Sequence, residues 1–145
     1  MSHKFSDIIN NTKFIVVSTI CVDGAPWATP LGLFAFDADS NQIVFQNRAG
    51  TMHGENLKRD NRCFITLVNY DEENQSRTSL HISTFAKKLS GGDYEKAKKL
   101  IQNLSKDISS GDIFAVPLGE KDEEKSTVDS KRNATYIYMK AEAEK

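Results

Sequence analysis

Cysteine, proline and tryptophan are scarce in this sequence, with two, three and one among 145 residues. The scarcity of cysteine excludes a disulfide framework, and His3, His53 and His81 show no ligand spacing with Cys21 or Cys63 that would suggest a metal site. Both cysteines lie inside apolar runs. They are expected as reduced core residues, because a free thiol packs as a small hydrophobe. No apolar stretch approaches the ~20 residues of a membrane helix. The N-terminus meets polar Asn10-Asn11-Thr12 too early for a secretory leader, so a cytoplasmic protein is expected. Charge of one sign is missing too. With 19 basic against 20 acidic residues the net charge is −1, which argues against a general nucleic-acid binder. What remains is 39% hydrophobic and 27% charged residues without internal repeats, the balance of one globular domain spanning 1–145.

Most of the chain reads as short strands. Residues 5–11 form a short opening helix, with Phe5, Ile8 and Ile9 on one face. Phe14 to Cys21 is β-branched almost throughout and reads as a strand buried on both faces. Asp23-Gly24 then marks a tight hairpin. A long second strand runs from Trp27 to Phe36, interrupted at Pro30 and Gly32, and the loop 37–41 leads to a third at Gln42–Gln46. Together the three make an antiparallel meander. Glu55–Asp60 resembles one or two helical turns. Further strands are expected at 63–68, 79–89, 113–116 and 134–139. A helix over 93–104 places Ala97, Leu100, Ile101 and Leu104 on one face. Gly119 to Asn133 is polar and charged and reads as a mobile surface loop. Many short strands with one substantial helix point to a mainly β fold, a small barrel.

One segment carries chemistry. From Phe45 to Leu57 the chain leaves a strand, crosses a glycine-containing loop and enters a short helix. Such a junction presents unpaired backbone N–H groups that suit a phosphate. Arg48 offers a bidentate donor, Thr51 a hydroxyl and His53 a ring N–H, with Lys58 and Arg59 adding positive potential. A plainer account also fits: Arg48 and His53 as solvated loop residues, Thr51 as a helix N-cap. Pro30 and Gly32 suit either close approach of a flat ligand or a bulged edge strand. Trp27 is better read as core or interface than as a ligand contact, and His81, alternating with Leu80 and Ile82, as a solvent or interface residue.

Taken together, these pieces resemble the pyridoxamine 5′-phosphate oxidase-like family of FMN-binding split barrels. Thr51-x-His53-x-x-Asn56-Leu57 is similar to the family's Ser-x-Lys-x-x-Asn-Leu element. The hairpin from Ser18-Thr19 through Asp23-Gly24-x-Pro26 to Thr29-Pro30-Leu31 and the bridge Lys58–Arg62 follow in matching order. The resemblance implies a six-stranded antiparallel split β-barrel with short flanking helices, a homodimer, and flavin mononucleotide sites at the subunit interface. It implies that Arg48, Thr51 and His53 hold the phosphate with the backbone at Met52. Thr29, Pro30 and Leu31 would line the ring, and Gln46 and Asn47 would reach its polar edge or the ribityl chain. The partner would contribute Ser79 or His81. The activity implied is an FMN-dependent oxidoreductase acting on a small molecule. A non-catalytic flavin-binding or stress-response module, a deazaflavin or a haem fits the same barrel. Two departures stand out: His53 replaces the family's Lys, and Thr84 stands where a Gly is frequent. The vitamin-B6 oxidase's C-terminal Trp and Arg-x-His elements have no match in Tyr136–Lys145, so the resemblance does not extend to that activity.

Overall fold

A computed structural model of the chain describes residues 6–48, 50–103, 111–118 and 125–141. Helix α1 (Ser6–Asn10) delivers fully buried Ile9 to the core; Phe5 lies outside the described residues. Strand β1 (Ile15–Ile20) pairs antiparallel with β2 (Pro26–Leu31) through the expected turn. There Asp23 Oδ1 accepts from the Ala25 N–H at 3.0 Å, and Gly24 takes φ 88°, a left-handed conformation open to glycine. The single strand expected from Trp27 to Phe36 is two strands. β2 ends at Leu31, and β3 (Phe34–Asp37) belongs to a different sheet, where it pairs with β4 (Gln42–Arg48). Pro30 has no N–H to extend a ladder and Gly32 no side chain to hold it, so the chain crosses between sheets there. The expected meander is therefore two separate hairpins.

Next come α2 (Met52–Arg59), β5 (Arg62–Asp71), β6 (Ser76–Phe85), β7 (Lys87–Lys88), α3 (Gly91–Gln102), β8 (Gly111–Pro117), β9 (Lys125–Asp129) and β10 (Ala134–Lys140). Six strands form one sheet in the order β2-β1-β5-β6-β10-β9, and four form another as β3-β4-β8-β7. The protein is a mainly β split barrel, as the resemblance implied. One pairing departs from an antiparallel pattern: β10 runs parallel to β6, with Tyr138 opposite His81. The loop expected over 119–133 needs correction. Residues 119–124 lie outside those described, but Lys125–Asp129 is a strand paired antiparallel with β10. As an edge strand it buries one flank only, which is why polar residues suffice to build it.

The two sheets differ in what they bury. Along β1 buried and partly exposed residues alternate, so Ile15 and Val17 point inward with Ile65, Leu67, Leu80 and Ile82. β4 is instead buried continuously from Ile43 to Asn47, because it is covered on both faces. On one face Phe45 stacks on Phe114 in the core between the sheets, with ring centroids 5.8 Å apart. On the other, Val44, Ile113 and Ala115 meet Ala97 and Ile101 of α3. Leu100 is only half-buried there, and Leu104 falls outside the described residues. Thr84 stitches the sheets together by donating from Oγ1 to the Pro117 carbonyl at 2.8 Å. Cys63 is a core residue and Cys21 is half-buried; both are free thiols. Among the described residues no helix is long and apolar enough to cross a membrane, and no group of three or more His, Cys, Asp or Glu is arranged to hold a metal.

Candidate functional site

The junction between β4 and α2 begins with a left-handed Gly50 (φ 80°) and an extended Thr51 that caps the helix. Thr51 Oγ1 accepts from the Gly54 N–H at 3.4 Å and donates to the Arg48 carbonyl at 3.0 Å. Its single proton is thereby committed. The contact with His53 Nε2 at 3.5 Å consequently requires the ring to be the donor. The helix starts at Met52, three residues before the helical turns expected from sequence, because this cap fixes it. The N–H groups of Met52 and His53 belong to the first turn, where a helix supplies no acceptor. They and the positive end of the helix dipole favour an anion at this point.

Asn47 lies directly beneath that turn. Strand alternation puts it on the same face of β4 as Phe45, and its side chain reaches the helix start. A Cβ at Gly54 would stand 2.6 Å from Asn47 Nδ2 and 3.0 Å from Thr51 Oγ1. On the strand side, a Cβ at Gly111 would collide with the Asn47 carbonyl. Two glycines thus make room for one asparagine. Asn47 is 4% exposed, and its Oδ1 is buried without a hydrogen-bond donor. An orphaned buried carbonyl is costly, by ~1–3 kcal/mol, and one at a helix start suits a ligand that brings the donor.

Charge around the junction is unevenly committed. The Arg48 side chain is exposed and forms no ion pair among the described residues. Lys58 faces Glu55 at 3.6 Å and Asp112 at 3.9 Å, and Asp112 also meets Lys88 at 3.6 Å. Arg59 turns to the Ile20 carbonyl and to Asn56 Oδ1. Among the described residues around the junction, Arg48 is therefore the cation left for an incoming anion. His53 is buried, and burial alone lowers its pKa, which favours the neutral ring.

Asn56 anchors the helix. It is 1% exposed, and Nδ2 donates to Thr19 Oγ1 at 3.0 Å and to Cys21 Sγ at 3.6 Å. This fixes α2 against β1, and α2 also touches β2. Thr29 and Leu31 pair with Val17 and Ile15, whose side chains enter the core, while Pro30 pairs with Val16 on the outer face.

The fold brings Asn47, Arg48, Thr51, Met52 and His53 into one junction, with β2 alongside α2. It does not gather every residue the sequence nominated. Gln46 points the opposite way from Asn47, towards α3, where Nε2 donates to the Gly111 carbonyl at 3.4 Å. Ser79 sits on the outer face of β6, two strands removed from β1, with Oγ 2.8 Å from His81 Nε2. His81 is half-buried there, beside Phe64 and Tyr136. Two cavities of the protein lie away from the junction, one under α3 and one on the outer face near Phe14. The junction itself is an open cradle. The Asn47 contact with Gly54 and the Asn56 tie to Thr19 were not legible as partners from sequence. Gly54 inside a helix start was the available signal.

Comparison with known proteins places the chain. The family model described as pyridoxamine 5′-phosphate oxidase matches residues 1–136. No curated protein matches. Among solved structures, a heme binding protein from Mycobacterium smegmatis aligns with TM-score 0.63 at 18% identity. The alignment covers 75% of this chain but 47% of that one, so this chain spans about half its length. An FMN-binding protein from Syntrophomonas wolfei aligns with TM-score 0.61 at 17% identity, covering 78% and 80% of the two chains. An F420 reductase aligns with TM-score 0.59 at 13% identity, covering 81% and 94%. At these identities the likeness is one of fold.

Proposed function

The chain belongs to the pyridoxamine 5′-phosphate oxidase family, and we propose that it binds flavin mononucleotide at the β4–α2 junction and serves as an oxidoreductase for a small organic molecule. One observation carries this reading: the orphaned, buried Oδ1 of Asn47 at the start of a glycine-opened helix, next to an exposed Arg48 without an ion pair among the described residues. The phosphate dianion of an ester would not satisfy it alone, because it carries no proton and Oδ1 needs a donor. A phosphorylated polyol supplies both, with the phosphate for Arg48 and the Met52 and His53 backbone N–H groups, and a hydroxyl for Asn47. The Thr51 and His53 side chains join the phosphate once they turn from their present acceptors. Bound flavin supplies two-electron redox chemistry at its ring, while the protein contributes position and electrostatics.

Thr29, Pro30 and Leu31 are assigned to the ring because β2 flanks α2 and is an edge strand, exposed along most of its length. Pro30 presents no N–H there, so a flat ring approaches without leaving a ladder donor unpaired. Gln46, facing α3, is assigned no cofactor contact within its own chain. Ser79 reaches a site only from a second copy, and the outer face of the six-stranded sheet supports a homodimer. Phe14, Val68, Tyr70 and Tyr138 are exposed there, an apolar surface that a monomer would leave in water. Flavin is preferred over haem because haem needs an axial ligand. The Nε2 atoms of His53 and His81 instead face the hydroxyls of Thr51 and Ser79. A vitamin-B6 phosphate substrate is not proposed, since Ala134–Lys140 is committed to the sheet as β10 between β6 and β9.

The test is the visible spectrum of the purified protein, followed by FMN titration of stripped protein. Bound-flavin bands, and affinity lost in Arg48→Ala, support the reading; colourless protein that ignores added FMN overturns it. Turnover with NADH or NADPH supports the oxidoreductase, whereas a bound but inert flavin reduces the protein to a carrier.

A further inference from the structure

On the far face of the four-stranded sheet, beneath α3, lies a half-open cavity of about 290 Å³ that the cofactor reading does not use, with Lys87, Asp93 and Lys96 exposed at its rim. Its floor follows from cross-strand pairing. Lys87, Ala115 and Val44 lie in one row across β7, β8 and β4, and Pro117, Gln42 and Asp37 lie in the next across β8, β4 and β3. The space exists because small residues meet there: Ala115 on the sheet and Ala97 on α3 both line it, each 3% exposed. Leucines at those positions would fill the gap in the usual interdigitating way.

The polar lining divides into used and unused groups. Both oxygens of Asp37 are occupied: Oδ1 accepts from the Asp39 N–H at 3.2 Å and Oδ2 from Ser40 Oγ at 2.7 Å. Lys96 is shared between Asp37 at 3.9 Å and Asp39 at 3.8 Å. Lys87 and Asp93 also line the cavity, and neither has an ion-pair partner among the described residues. The backbone of each lies in regular structure, Lys87 in the β7–β8 ladder and Asp93 in the first turn of α3. Among the described residues the cavity thus offers one ammonium and one carboxylate without an ion-pair partner, beside a floor that is apolar at Val44, Ala115 and Pro117 and polar at Gln42 and Asp37. An anion alone would meet Asp37 and Asp93 unfavourably, and an apolar molecule would leave both Lys87 and Asp93 unused.

We infer that this cavity is a second ligand site, for a free amino acid whose carboxylate meets Lys87 and whose ammonium meets Asp93. The side chain rests on Val44, Ala97 and Ala115. A cavity of this size sits at the lower end of small-molecule sites, ~300 Å³. Gln42 opens β4 at this cavity and Arg48 closes it at the junction, six strand steps or ~20 Å away. The two sites are therefore separate, and the inference does not rest on the flavin.

The experiment is isothermal titration of the full-length protein with each standard free amino acid at millimolar concentration. The same titrations are repeated on Lys87→Gln and Asp93→Asn, with FMN titration run in parallel. At least one amino acid binds, each substitution raises its Kd at least ~10-fold, and FMN binding is unchanged in both variants. No amino acid binding to the unaltered protein overturns the inference, as does binding that survives either substitution. Neither result bears on the flavin reading, which the parallel titration scores separately.

Discussion

Replacing Asn56 with Ala removes the hydrogen bonds that fasten α2 to β1. Asn56 is 1% exposed and Thr19 is 2% exposed, so no water replaces the amide that Thr19 Oγ1 loses at 3.0 Å. A buried acceptor left unpaired costs ~1–3 kcal/mol, and the truncated side chain leaves a small void besides, giving roughly 2–3 kcal/mol in all. For a domain of this length, about 3 °C of Tm accompanies each kcal/mol, so the melting temperature should fall by about 6–9 °C. Thermal unfolding followed by circular dichroism reads this directly. The partner substitution sharpens the attribution. In a Thr19→Val background the acceptor is already gone, so adding Asn56→Ala should cost less, by a coupling of roughly 1 kcal/mol. A melting temperature within ~2 °C of the unaltered protein, or costs that simply add, would refute the claim that this bond positions the helix.

Gly54→Ala should not gain the ~1 kcal/mol that alanine ordinarily brings to a helix, because its Cβ would stand 2.6 Å from Asn47 Nδ2. Chemical denaturation should show unchanged or lower stability, and FMN affinity should fall as Asn47 is displaced. Cys63 is buried, and desolvation pushes its thiol up to about 12. Iodoacetamide followed by mass spectrometry should therefore modify half-buried Cys21 in the folded protein and reach Cys63 only after denaturation. Burial lowers the pKa of His53, so the unfolded chain binds a proton more readily than the folded protein. Its contribution to stability is full above the unfolded value of ~6.5 and is lost as pH falls below it. Urea midpoints measured at descending pH should decline for the unaltered protein and decline less for His53→Gln.

Local patterning was legible where residues act on near neighbours. The β-branched run at 15–20, the Asp23-Gly24 turn and the 97–101 spacing of α3 all specify structure within one or two turns of chain. Pro30 and Gly32 were recognisable as an irregularity, yet whether a strand bends or changes sheet depends on partners far along the chain. β9 escaped notice because Lys125–Asp129 is polar, and its strand character comes from pairing with β10 after a tight turn closed by left-handed Asn133 (φ 51°). The parallel pairing of β10 with β6 joins segments more than fifty residues apart and leaves no local trace. At the candidate site, Arg48, Thr51 and His53 stood out because their side chains advertise anion chemistry. Adjacent Gln46 and Asn47 looked equivalent, and their separation onto opposite faces appears only once Phe45 is known to enter the core. The role of Gly111, which makes room for the Asn47 backbone from sixty-four residues further on, could not be read in advance.

If the β4–α2 junction holds the phosphate end of a flavin, the phosphate itself must contribute to affinity. Comparing FMN with riboflavin, which lacks only the phosphate, on the same stripped protein by fluorescence titration tests it most directly. FMN should bind at least ~10-fold tighter, equivalent to about 1.4 kcal/mol, with that preference collapsing in Arg48→Ala. Equal affinity for the two flavins, or a preference that survives the Arg48 substitution intact, would contradict it.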